Sequence, residues 1–441
     1  MQKTSLTEMA VPVFRQLFNE MIAPDKIEVI GARHHSGLGA PPKVSLADLV
    51  MGAVYHELMG VGTKAEHLGE VSGVKITDAS LSERYQGLDV KVFNEVMSAT
   101  LKPLAELKLD PDAFFDGLLL NGVDGGTLSM ANTPAVNEER EKTKTRRGKA
   151  AFAKLAFCTV FELGHHHPIL AAIDGASEME LAGQLWSSLP YSSLTLGDRY
   201  YGNGKCISKL IAVAPKVGKH HFLFRVQDRL KSRILQKLAD GSALVEITST
   251  EGMVSQVREI RGKITTRTGR KVRVRMWTSL TDARRHTARK LLKLYSLRWE
   301  HEIGYDELKN QLHRGELLRS HTPHTAVQEL AALIIAQAVI ARIRRRVGHQ
   351  VQLPALRVSF RKTHRLLQAF WTMVQISDSI LSKKQIHAMG QKLMNHLEKQ
   401  ITPPRRKRSC PRALRQPVSK WPRLRKNSQA KGEILYRVAT V

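Results

Sequence analysis

Apolar residues recur every three or four positions through the first hundred residues, and the spacing predicts helices over residues 8–21, 46–58, 78–85 and 90–107. Ser45 stands where a cap would open the second helix, and the Gly- and Pro-rich stretch 36–42 separates it from the first. From Phe114 the pattern shortens to apolar runs of strand length at 117–124, 151–161 and 168–173. A helix over 178–186 and a buried strand over 193–198 follow, an alternation that implies a mixed α/β sheet.

Residues 205–280 read as strands again, at 221–225, 243–248 and 271–277. In the last of these, alternation puts Val272, Val274 and Met276 on one face and Lys271, Arg273 and Arg275 on the other, so a basic sheet face is expected. Residues 282–341 then read as helical, broken by the turn at 321–323, and no internal repeat is evident.

Composition changes the picture through charge. The 441-residue chain is too long for one ordinary core, and its 42% hydrophobic content is enough to fold. A formal net charge of +29 and a pI near 10.2 imply a polyanionic partner, nucleic acid first and an anionic membrane surface second. The longest apolar stretch, 330–341, is too short to cross about 30 Å of hydrocarbon and is expected as a buried helix. The N-terminus has no apolar run after its first charge, so no secretory signal is expected and the cytosol is the expected compartment. Cys158, Cys206 and Cys410 are isolated, which argues against both disulfides and a zinc site. Residues 403–426 carry many Lys and Arg and no acid, as a flexible basic tail would. The Gly-containing turn around 71–78 fits either plain packing or a helix-turn-helix presenting 80–85 to a groove.

Three carboxylates sit where catalytic groups are expected. Asp124 closes an apolar run before Gly125 and Gly126, Asp198 closes the run 194–197, and Glu302 lies on a helical segment. Such a trio of hard oxygen donors can hold two divalent ions, Mg²⁺ or Mn²⁺. Each also has a plain structural reading: a turn former at Asp124, a pairing with Arg199 at Asp198, and a surface ion-pair ladder at Glu302. Tyr295, Glu302 and Lys309 are seven residues apart and Arg298 is three beyond the first. On an α-helix a step of seven drifts only about 20°, so all four are expected on one face.

The run Tyr295-x2-Arg298-x3-Glu302-x6-Lys309 resembles the Tyr-Arg-Glu-Lys signature of bacterial DDE transposases of the insertion-sequence-four family. The stretches 123–128 and 197–202 are similar to that family's first and second aspartate boxes. The resemblance implies a multidomain α/β fold, with a ribonuclease-H-like catalytic core interrupted by a β-rich insertion and with helical N- and C-terminal regions. It divides the chain into residues 1–112 as a helical DNA-binding region, 113–204 and 285–346 as the two parts of the core, 205–284 as the insertion, and 347–441 as a helical region with the basic tail. It further implies that Asp124, Asp198 and Glu302 hold two Mg²⁺ or Mn²⁺ ions and that Tyr295, Arg298 and Lys309 contact the DNA of the element's ends. Trp299 would hold a flipped base, or else pack its helix onto the sheet.

The implied partners are the terminal inverted repeats and target DNA, and the implied state is a homodimer in the synaptic complex, nucleoid-associated in the bacterial cytoplasm and without a membrane. The implied reaction is cut-and-paste through a hairpin. The second box departs from the family in having Tyr200 where Gly is common, and the first continues 130–132 without the frequent Asp. Neither removes a carboxylate. Another ribonuclease-H-like nuclease or resolvase, or a decayed DNA-binding relative, stays as the alternative.

His165, His166 and His167 are not expected to share a metal, because successive strand residues face opposite ways. Trp277 is expected as a sheet-edge aromatic or a base-stacking group. The basic stretch 140–149 is expected as a solvated loop able to grip phosphates.

Overall fold

The computed structural model describes residues 13–34, 43–145, 148–217, 220–265, 271–315, 317–377, 380–403 and 435–439. The loop expected at 36–42, Cys410 and all but the first residue of the basic tail lie outside them. The chain forms two compact units of mixed α/β structure, Met1–Pro190 with Glu300–Ile401 and Tyr191–Trp299 with Thr402–Val441.

In the first unit the helices Phe14–Met21, Pro24–His34, Leu46–Met59, Lys64–Ser72, Asp78–Gly87 and Val90–Thr100 come first. Ser45 caps the third, its Oγ accepting from the Asp48 amide at 3.0 Å. The helix Lys64–Ser72 was not foreseen, although it is marked by a capping box at Thr63 and Glu66 and by Gly73 at φ +74°. The helix expected to reach residue 107 stops at Thr100, because Leu101 is extended and Pro103 disfavours a helical residue 102. Tyr85, which the helix-turn-helix reading would offer to a groove and plain packing would bury, is buried and donates its hydroxyl to the Leu49 carbonyl at 2.8 Å.

The helix Pro323–Gln350 is the spine of this unit. Thr322 caps it and Pro323 occupies its first turn, where a missing N–H costs nothing. It is long and apolar enough to cross a membrane by length and composition, yet 94% of its apolar window is buried in the fold. Leu330 through Ala341 are buried on every side, as expected, and each Leu or Ile there stabilises by about 1.5–3 kcal/mol relative to exposure.

Three antiparallel strands lie in the order His167–Ile173, Lys154–Glu162, Leu118–Ser129. Asp124 does not end its strand: pairing continues through Gly125 opposite Cys158 and Gly126 opposite Phe157 to Ser129. The three histidines diverge, but not by strand alternation: His165 and His166 lie in the turn before the strand, and His166 has φ +52°. His165 bonds Asp110 and Glu162, His166 bonds Glu300 and Glu307 at 2.9 Å each, and His167 bonds the Lys102 carbonyl at 3.0 Å.

In the second unit Ser193–Gly202 runs parallel to His220–Val226, which pairs antiparallel with Lys271–Thr278. The sheet continues through Val254–Thr265, Ala243–Thr248 and Arg233–Lys237, and Leu435–Val438 adds to Val254–Thr265. Residues 204–217, read as part of a strand-rich stretch, form the helix Gly204–Val217 with Cys206, Ile207 and Leu210 buried at helical spacing.

The expected basic face is also different. Arg275 is buried, its guanidinium bonded to Glu259 at 2.6 Å and to the Ser232 hydroxyl at 2.9 Å. Trp277 is core rather than edge, donating its indole N–H to Glu259 at 2.8 Å.

Candidate active site

In the first unit the groups gather around the middle of the strand Leu118–Ser129. Asp124 is half-buried, and its Oδ1 accepts from the Gly125 amide at 3.0 Å. The same amide donates to Glu178 Oε1 at 3.0 Å, so one N–H serves two carboxylates. Glu178 opens the helix Glu178–Leu185 behind its cap Ser177, and a Cβ on residue 125 would meet its Cδ at 2.2 Å. Gly126 leaves room on its own side, since a Cβ there would lie 2.6 Å from Lys309 Nζ and 3.0 Å from Phe157 Cζ. The glycines therefore admit side chains, not a turn.

Lys309 lies over aromatic rings, with Nζ 4.6 Å from the Tyr305 centroid and 5.2 Å from that of Phe157. Burial lowers its pKa, while the charges of Asp124 and Glu178 oppose that shift. Tyr305 ties the helical segment to the strand by donating its hydroxyl to the Asp124 carbonyl at 2.7 Å, and it accepts from Thr159 Oγ1 at 3.0 Å. Burial raises its pKa well above the usual phenol range, which keeps it the donor. Tyr305→Phe is expected to destabilise the protein by about 1–3 kcal/mol, read by urea unfolding, because a buried carbonyl loses its donor. An unchanged unfolding midpoint would show that this bond carries no weight.

Glu302 is half-buried on the helix Trp299–Asp306, in the same unit as Asp124. On either side of it Glu300 and Glu307 are held by His166, and Glu307 also accepts from Arg344 at 3.1 Å. Although burial raises the Glu307 pKa, Arg344 and His166 bring it below the usual carboxylate range.

The signature segment is not one uniform helix. Tyr295–Arg298 is a 3₁₀ turn, Trp299–Asp306 is α-helical, and Glu307–Leu312 is a π turn. In the 3₁₀ turn residues three apart eclipse, so Tyr295 and Arg298 meet and share a side-chain hydrogen bond. The helix type therefore changes twice between Tyr295 and Lys309, so the seven-residue spacing does not follow one α-helical period. The described contacts of these residues fall in two groups, Lys309 with Asp124 and Tyr295 with Arg298 and Asp198.

The second group lies in the second unit, with Asp198, Tyr295, Arg298 and Trp299. Asp198 stands where pairing of its strand with His220–Val226 is interrupted between Gly197 and Gly202. Its Oδ1 accepts from the Tyr200 amide at 2.6 Å, the local Asx bond that the departure at Tyr200 leaves in place. Burial first and the Asp198 charge after it push the Tyr295 hydroxyl up to about 12 against the opposing charges of Arg298 and Arg225. Trp299 is 50% exposed with the Arg298 guanidinium 5.5 Å above its ring, so it does not pack into a core.

Of the residues picked out in the sequence, Asp124 and Lys309 come together in the first unit, and Asp198, Tyr295 and Arg298 come together in the second. Glu178, Tyr305 and Arg225 were missed. Ser177 before an acidic first turn announced only a helix start, and Tyr305 only an apolar position within the signature. Among the described residues no group of three or more His, Cys, Asp or Glu is spaced to hold a metal ion.

Residues 123–338 match the family model described as a transposase DDE domain. The chain is 27% identical over 334 residues to transposase InsG of insertion sequence element IS4 from Escherichia coli (strain K12), covering 73% of each protein. Among solved structures, it is similar at a TM-score of 0.42 and 10% identity to the piggyBac transposase in a synaptic complex with hairpin DNA, across 89% of this chain and 85% of that one.

Proposed function

The chain belongs to the DDE transposases of the insertion-sequence-four family, and from that membership we propose that it binds the terminal inverted repeats of its own element and cuts and joins DNA through Asp124, Asp198 and Glu302. It is a DNA transposase; the proposal concerns how its residues carry that activity. The observation that carries the reading is the tie between Asp124 and the signature segment, with Tyr305 bonded to the Asp124 carbonyl and Lys309 lying against Gly126.

DDE transposases generally use divalent metal ions, and the donor chemistry here fits Mg²⁺ or Mn²⁺. All three candidate ligands are hard carboxylate oxygens, and Asp124 and Asp198 each have one oxygen oriented by a backbone amide. Their convergence in a ribonuclease-H-like core, interrupted by a β-rich insertion, is part of the proposal. Two bound ions would supply activation of the attacking oxygen and stabilisation of the leaving one. Lys309, Arg298 and Tyr295 would hold the phosphates of the element's end, the charges of Asp124 and Glu178 opposing the lowering of the Lys309 pKa by burial. Half-exposed Trp299 offers a face on which an unpaired base can stack.

The reaction would proceed by hydrolytic nicking and then attack of the freed 3′-hydroxyl on the opposite strand, which closes a hairpin as the flanking strand leaves. Hairpin opening and strand transfer into target DNA, within a pair of protomers in the bacterial cytoplasm, would complete it. Incubating the protein with labelled DNA carrying its element's ends and Mg²⁺ tests this on a denaturing gel. A nick at the element boundary followed by hairpin and strand-transfer products is expected. Cleavage without joining from a precut end would instead identify a water-only nuclease, and binding without any nick would identify a non-catalytic DNA-binding protein.

A further inference from the structure

The second unit carries a row of like charges that the candidate active site does not use. In the antiparallel register Lys263 stands opposite Arg273 on one side and opposite Arg437 on the other. Directly opposed residues share a face, so the three side chains form one line across three strands spaced about 4.8 Å apart. All three are exposed, as is Lys271, two residues before Arg273 on the same face. Among the described residues none of the four has an ion-pair partner.

Glu259, an acid on the same face of the strand Val254–Thr265, is already engaged. Glu259 accepts from Arg261 at 2.7 Å, from Arg275 at 2.6 Å and from Trp277 at 2.8 Å, and it is buried. Opposed like charges destabilise a sheet, and this row sets three side by side. A ladder that costs stability and, among the described residues, has no ion-paired acid fits an external polyanion of regular charge spacing. The strand Leu435–Val438 supplies the third cation only by adding to Val254–Thr265.

We propose that Lys263, Arg273 and Arg437 form a phosphate-binding row for duplex DNA, read without regard to sequence. The inference rests on the transposase reading and adds a contact surface to it. Neutralising phosphates releases counterions, so each cation that touches one steepens the salt dependence of binding by about 0.9 in log–log slope.

The test is DNA binding by the full chain at several salt concentrations, on a duplex with the element's end and on one of unrelated sequence. K263Q, R273Q, R437Q and the triple variant are compared with wild type, together with their melting temperatures. Each single change is expected to flatten the slope by about 0.9 and the triple by about 2.7, equally on both duplexes. The triple variant should melt no lower than wild type, since it removes repulsion. A wild-type slope in the triple variant, with DNA still bound, overturns the row and leaves the transposase reading standing. So does a flattened slope confined to the element's end, which would mean base reading. Wild type that binds neither duplex overturns both.

Discussion

Replacing Glu302 by Gln, or Asp124 or Asp198 by Asn, is expected to lower DNA cleavage by on the order of 10⁴-fold, the scale on which a member of a catalytic unit is lost. Each swap keeps shape and hydrogen-bonding size while removing one negative charge. Without that charge the proposed ions are held less tightly and their field on the reacting phosphate falls. Binding of the element's end should stay within a few-fold of wild type, because the groups assigned to phosphate are Lys309, Arg298 and Tyr295. Combining two of the substitutions should cost little more than one, as groups that act together are not additive. Gel-based cleavage alongside binding titration reads both quantities. Normal cleavage by any one variant would remove that carboxylate from the site.

The second large effect lies in the second unit, where Glu259 is fully buried and anchors Arg275, Arg261, Trp277 and Ser232. Glu259→Ala strands the Arg275 guanidinium and the Trp277 N–H in the interior. Breaking one partner of a buried pair costs about 3–5 kcal/mol. Urea unfolding should show a correspondingly lower midpoint for the transition of this unit.

The pH dependence follows from the same contacts. Burial raises the Glu259 pKa, but hydrogen bonds from Arg275 and Trp277 and the Arg275 charge bring it below its ordinary 4.5. A depressed carboxylate contributes fully above its unfolded value and loses that contribution as pH falls through the folded one. Wild type should therefore lose stability as pH falls below about 4.5, and Glu259→Ala should lose less over that range. Parallel acid titrations of the two proteins would contradict this assignment.

Much of the chain was legible before folding. The cap at Ser45, the helical run 178–186, the break before Pro323 and the buried run 330–341 are local signals, and the helices formed where they stand. The misreadings have specific causes. Gly125 and Gly126 looked like a turn after Asp124, whereas they are paired strand residues kept small by Glu178 and Lys309. Arg275 looked like surface by alternation, yet a buried Glu259 on the neighbouring strand drew it inward. The seven-residue spacing assumed one helix type, and the 3₁₀ and π turns changed the phase at both ends.

The sequence by itself determined the carboxylates, the signature residues, the basic character and several helix starts, because spacing and capping act over a few residues and are written in neighbouring positions. Only the tertiary structure decided which side chains approach one another. The Gly125 amide meets Glu178 across 53 residues and Tyr305 reaches Asp124 across 181, contacts set by how helices and strands pack. No local period encodes such a meeting, since its free energy comes from burial and hydrogen bonding between segments that the chain brings together only on folding.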